Sequence, residues 1–231
     1  MIFRRHRADT PDEADLDEVG LEDELEDEAD EADDEFEDEW AELDQREDWR
    51  ADGPFDVDEV DFDADDIERV DLGALIVTPE SGFKIQLVVD QKTKTADTLI
   101  VATDRSQLQV TVLAAPGSPG FATEWRERIV EETRAGGGEA RNATGPFGTE
   151  LHRIAQGQDP EGKATRTPVR DWLVQGPRWL LHARLLGAAC LDSGKDQAAE
   201  LEEFFRNLIV RRGDTALVPG APVALRPPEP R

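Results

Sequence analysis

The chain has 231 residues, 38% hydrophobic and 35% charged, with a formal net charge of −28. That length allows one or two domains, and the composition excludes collagen-like and membrane-embedded classes. Its single cysteine, Cys190, excludes an intramolecular disulfide framework and a cysteine-rich zinc site and fits a reducing compartment.

The charge is unevenly spread. Met1 to Val70 holds 33 acidic residues against 6 arginines, whereas the rest of the chain holds 21 acidic against 20 basic residues. The start, Met1 to Arg7, is basic, but acids follow Ala8 without an apolar stretch, so it does not read as a signal peptide. The longest apolar runs, such as Leu99 to Ala102 and Leu185 to Leu191, fall far short of the roughly 20 residues of a membrane span. Cytoplasm is the expected location.

Residues 1–66 read as an acidic disordered tail. Blocks such as Glu22 to Glu28 and Asp33 to Glu39 repel themselves, and the few apolar side chains do not offset a backbone ordering cost of about 1 to 2 kcal/mol per residue. Within the tail, Phe36, Trp40 and Leu43 fall at i, i+4, i+7, the spacing of a helix laid into a partner's groove. Chance alignment of aromatic residues in an acidic tail is the alternative. Gly53-Pro54-Phe55-Asp56 reads as a turn leading into the fold, with order expected from near Ile67.

Residues 67–215 read as one α+β domain. Phe83, Ile85, Leu87 and Val89, then Leu108, Val110 and Val112, alternate with less apolar neighbours, the period of strands with one face on a core. Thr98 to Ala102 is a continuous apolar run of strand length, which suggests a strand covered on both faces, or an inner one. In Gly120 to Ala135 the period changes: Phe121, Trp125 and Ile129 recur every four residues and Gly136-Gly137-Gly138 ends the pattern, so an amphipathic helix is expected. Burying Trp125 there predicts a cost of about 3 to 5 kcal/mol for Trp125→Ala. Further strands are expected near Glu139 to Ala143, Thr149 to Ala155, Thr167 to Val174 and Arg178 to Leu186. A second helix is expected at Lys195 to Ile209, with Ala198, Leu201, Phe205 and Leu208 on one face. Short connections favour a single antiparallel β-sheet with two amphipathic helices packed on one face. Residues 216–231 read as a Pro-rich extension.

The residues that carry chemistry are sparse. Gly136-Gly137-Gly138 follows a helix instead of opening one, and Gly162-Lys163 and Gly194-Lys195 lack the partners of a phosphate loop. His6, His152 and His182 are too dispersed for a local metal motif. No nucleophile-elbow context surrounds any serine, and Cys190 sits among apolar residues, as an inert thiol does. No cofactor or metal is implied. His152, Arg178 and His182 are the candidate basic or pocket face, should their strands bring them together.

A set of segments is similar to an actinobacterial family of proteins of unknown function, DUF3710: Gly53-Pro54-Phe55-Asp56, Arg69 to Leu75, Ala114-Ala115-Pro116, Gly145 to Leu151, Gly176-Pro177-Arg178-Trp179 and Val210 to Asp214. The resemblance spans about Gly53 to Leu225 and implies no activity and no functional residues. The order of strands and helices is also similar to the fold of Mog1 and PsbP proteins, which implies binding and assembly roles by analogy of fold alone.

These observations favour a non-enzymatic protein-interaction or regulatory factor, its acidic tail engaging a basic partner surface or its own domain. Direct nucleic-acid binding by the tail is opposed by its sign. An enzyme or small-ligand-binding protein with a pocket on the sheet, and a nucleic-acid mimic, are the competing readings.

Overall fold

The computed structural model describes residues 39–89, 95–159 and 161–228, and the unit considered below is Trp40–Arg231. Its frame is a seven-stranded antiparallel sheet built from β4 (Lys84–Val89), β5 (Ala96–Ala102), β6 (Ser106–Ala114), β7 (Glu139–Gly145), β8 (Gly148–Gln158), β9 (Ala164–Gly176) and β10 (Trp179–Gly187). The spatial order is β4-β5-β6-β10-β9-β8-β7. The alternation in the sequence forms these strands: Leu108, Val110 and Val112 on β6 are buried while Gln107, Gln109 and Thr111 between them are half-buried. β5 follows the same rule, with Leu99 and Val101 buried and Ile100 and Ala102 half-buried, so it is not covered equally on both faces; it is an inner strand, between β4 and β6, the other of the two readings its apolar run allows.

A second, four-stranded sheet has the order β1-β11-β3-β2, from β1 (Phe55–Asp56), β2 (Val70–Asp71), β3 (Leu75–Val77) and β11 (Ile209–Val210). β1 runs parallel to β11 and the other pairs are antiparallel. The fold is therefore α+β with two sheets, not the single sheet expected. Strands of two or three residues leave too short an alternation to register against loops.

Among the described residues three α-helices accompany the sheets: α1 over residues 39–45, α2 (Phe121–Ala135) and α3 (Lys195–Arg206). The expectation that the two amphipathic helices share one face is corrected by their packing. Phe121 and Ile129 of α2 cluster with Leu113, Leu151, Leu173 and Leu180. Leu201, Phe204 and Phe205 of α3 cluster with Val110, Val112, Trp172, Val174, Trp179 and Leu181. Leu173 and Leu180 alternate along their strands with Trp172, Val174, Trp179 and Leu181, so α2 and α3 cover opposite faces of the large sheet. Leu75, Val77 and Val210 of the small sheet join the cluster beneath α3.

Two segments read as unstructured from composition belong to this unit. From Trp40 onward the acidic stretch is anchored by Leu43, Pro54 and Asp56, all buried. Its acids find specific partners: Asp44 with Arg126, Glu59 with Arg50, Asp65 with Arg69, and Asp56 with the Trp179 indole N–H at 2.6 Å. A boundary at residue 66 thus falls inside the fold, because net charge averages over pairings made across long sequence separations. At the other end, residues 221–225 lie along β6 and β5. β5 pairs with β6 only as far as Thr111, and the open edge beyond is filled by backbone bonds from Val223 N–H to Val112 O and Ala114 N–H to Ala221 O, both 2.8 Å, while Leu225 N–H reaches Ala96 O at 2.7 Å. Val223 and Leu225 are buried, so the Pro-rich end is part of the sheet's cover.

Candidate functional site

β8 and β9 carry two buried carboxylates, and strand parity sends them to opposite faces of the large sheet. Glu150 on β8, 1% exposed, faces α3. It accepts from Trp172 Nε1 at 2.6 Å, from His152 Nε2 at 2.5 Å and from both Arg170 Nη2 at 2.9 Å and Arg170 Nε. Burial pushes the Glu150 carboxyl up, but the bonds from His152, Arg170 and Trp172, with the charge of Arg170, outweigh burial and hold it below the usual carboxylate range. Gly145, at the end of β7, leaves the room: a Cβ there would lie 2.5 Å from that of Glu150.

Asp171 on β9, fully buried, faces α2. Arg153 donates to it from Nε at 2.6 Å and Nη2 at 3.1 Å, and His182 Nε2 from 2.8 Å. Burial raises this carboxyl and the bonds from His182 and Arg153 more than reverse it. Arg153 also lies 3.4 Å from Thr133 Oγ1 on α2, so the charge cluster ties the helix to the sheet.

Beside Glu150 the face opens into a groove of about 440 Å³, with Arg141, His152, Ile154, Pro168, Cys190 and Leu191 on its walls. His152 spends its Nε2–H on Glu150, leaving Nδ1 as the acceptor facing Arg141 Nη2 at 3.3 Å. The Cys190 thiol donates to Leu185 O at 3.0 Å, and burial pushes its pKa up, which disfavours the thiolate a nucleophile needs. A second groove of about 980 Å³ runs between β2 and the C-terminal segment, with Arg69, Arg211, Arg212 and Arg226 among its walls. Arg69 and Arg211 there are paired with Asp65 and Asp71.

The structure separates the residues that the sequence grouped. His152 and His182 lie on opposite faces of the sheet, each bound to a different buried carboxylate. Arg178 sits in the β9–β10 turn at φ 60°, beyond both, with Asp214 3.9 Å away. Of the Phe36, Trp40 and Leu43 stripe, Leu43 is 6% exposed on this unit and Trp40 is half-buried, its carbonyl accepting from Thr149 Oγ1 at 3.3 Å. Phe36 lies outside the described residues. Leu43 is thus packed in cis. Glu150, Arg153, Asp171 and Arg141 were not singled out from sequence; the period-two pairs Glu150/His152 and Arg170/Trp172 were the available signal.

Among the described residues no three His, Cys, Asp or Glu side chains are grouped to hold a metal ion, and no helix is long and apolar enough to cross a membrane.

The model of DUF3710, described as a protein of unknown function, matches residues 53–231. The chain belongs to the DUF3710 family. The match starts at the Gly53-Pro54 turn, so the preceding segment with α1 and Trp49 lies outside the DUF3710 region although it packs on it. No curated protein matches the chain. Among solved structures it is similar to the solution structure of cyanobacterial PsbP (CyanoP) from Synechocystis sp. PCC 6803, at 11% identity and a TM-score of 0.37, over 62% of this chain and 92% of that one.

Proposed function

We propose that this DUF3710 protein is a non-enzymatic binding factor of the reducing cytoplasm, in which the acidic N-terminal segment engages a basic surface on a protein partner. The observation that carries this reading is the charge division: 33 acids against 6 arginines through Val70, and near balance beyond it. An anion of that density attracts a basic partner and raises the rate of encounter, with strong dependence on salt. The sheet's own ionisable groups support the reading. Glu150 and Asp171 are saturated by arginine, histidine and tryptophan donors, so their charge is used in holding strands together, where a proton-transfer catalyst needs a group open to substrate.

The test is affinity capture from native lysate with the full chain, and with a full-length variant whose acids between residues 22 and 38 are changed to their amides. Leaving Trp40 onward intact preserves the packed segment. Partners captured by the first and lost by the second, and lost at high salt, support the proposal; identical partner sets refute it. Captured partners that are released by added duplex DNA would assign the acidic segment to mimicry of nucleic acid instead.

A further inference from the structure

We propose that the groove on the α3 face of β7, β8 and β9 binds a small amphiphilic carboxylate, with its acid group at Arg141 and its apolar body against Ile154, Pro168 and Leu191. This proposal does not rest on the reading of the acidic segment given above.

The register builds the floor. Arg141 pairs with His152 and His152 with Arg170; one row along, Glu139 pairs with Ile154 and Ile154 with Pro168. Paired residues share a face, so these two rows form one surface, walled by Cys190 and Leu191. At about 440 Å³ the groove falls in the size range of small-molecule sites.

Charge bookkeeping selects the ligand. Of the arginines on the walls, Arg170 is matched by Glu150 and Arg153 by Asp171, and Glu139 is matched by Arg166. Arg141 has no carboxylate partner among the described residues; its contact is His152 Nδ1 at 3.3 Å, and His152 is itself fixed by the buried Glu150. An uncompensated guanidinium therefore stands at one end of an apolar trough. At the other end, Leu191 is 53% exposed. Adjacent strands lie about 4.8 Å apart, so β7 to β9 spans roughly 10 Å, which sets the separation between the ligand's charged and apolar ends. A nucleotide or polyphosphate fits less well, because among the described residues the walls hold one free cation and no Phe, Tyr or Trp on which a base could stack.

The probe is octanoate, titrated into the full chain by calorimetry while iodoacetamide alkylation of Cys190, the single cysteine, is followed. Saturable one-site binding that slows alkylation, with octanol at least about tenfold weaker, is expected, since the guanidinium–carboxylate pair is worth roughly that factor. Arg141→Gln should reduce octanoate to the affinity of octanol and leave octanol unchanged; Leu191→Asn should weaken both. Both side chains are exposed, and unchanged circular dichroism will confirm that the variants fold. Equal affinity for octanoate and octanol, binding that leaves alkylation of Cys190 unaffected, no effect of Arg141→Gln, or no saturable binding at all would each overturn the assignment.

Discussion

The Arg126 guanidinium on α2 donates to the Asp44 carboxylate at 2.6 Å, across 82 positions of sequence. The other oxygen of Asp44 accepts from the backbone N–H of Thr149 at 2.7 Å, and the Trp49 indole donates to Leu43 O at 3.0 Å. One acidic residue thus clasps the segment preceding the DUF3710 region onto a helix and a strand at once.

Because the Arg126 side chain is 5% exposed, Asp44→Ala leaves a buried cation without its counter-charge. A loss of about 2 to 3 kcal/mol is expected, below the full cost of breaking a wholly buried pair since Asp44 is partly solvated. Urea unfolding of Asp44→Ala, Arg126→Met and the double variant checks it: the double variant should lose less than the sum of the two. Strict additivity would show that the pair does not couple.

Gly148, at the start of β8, has φ +88°, and a Cβ there would lie 2.7 Å from Asp44 Oδ1 and 3.2 Å from the Trp49 ring. Gly148→Ala should therefore cost about 2 kcal/mol, combining left-handed strain with displacement of the clasp. Limited proteolysis should then cut between residues 40 and 52 faster than in the parent protein, while the large sheet stays protected. Unchanged cleavage would mean that the segment is not held by this contact.

Trp125 shows where periodicity and packing diverge. Its i, i+4, i+8 series with Phe121 and Ile129 predicts full burial, but in α2 the indole is half-buried, covered by Gly220 on one side and by the Arg128 guanidinium 5.3 Å from its centroid. Its Nε1 is buried with no protein partner among the described residues, a cost that truncation removes. Trp125→Ala is therefore expected to lose about 1 to 2 kcal/mol, and not the 3 to 5 of a core tryptophan. Chemical denaturation measures it; a loss as large as that of Phe121→Ala would contradict this packing.

The same contrast marks what was legible beforehand. Alternation placed β4 and β6, an apolar run placed β5, the turn residues between them placed β7 to β10, and a period of about four placed α2 and α3, all close to their observed limits. The faces themselves were not legible: whether α2 and α3 share a side depends on the parity of Leu180 against Leu181, which no single strand reveals without its pairing. The acidic clasp escaped because Asp44, Asp56 and Glu59 look like solvated charge until Arg126, Trp179 and Arg50 are brought to them. At the candidate site, His152 was visible and Glu150 two residues before it was equally accessible. Arg170 and Arg141 joined them only through strand register, and the same register sent His182 to the other face.

The two buried carboxylates predict how stability depends on pH. Glu150 and Asp171 both titrate below the usual range in the folded state, their donors outweighing burial. The unfolded chain, with ordinary values of about 4.3 for Glu and 3.9 for Asp, takes up protons first as pH falls. The stabilisation is therefore present in full above roughly pH 5 and drains away as pH drops through 4 and toward the folded-state values. Glu59, Asp65 and Asp71 are also lowered, but these groups are solvent-accessible, and screening leaves them a minor part. Urea midpoints between pH 7 and pH 3 should fall steeply for the parent protein. In the Glu150→Gln/Asp171→Asn double variant the midpoint should start lower and fall less. If the two curves run parallel down to pH 3, the acid sensitivity resides elsewhere and the networks at β8 and β9 are not its source.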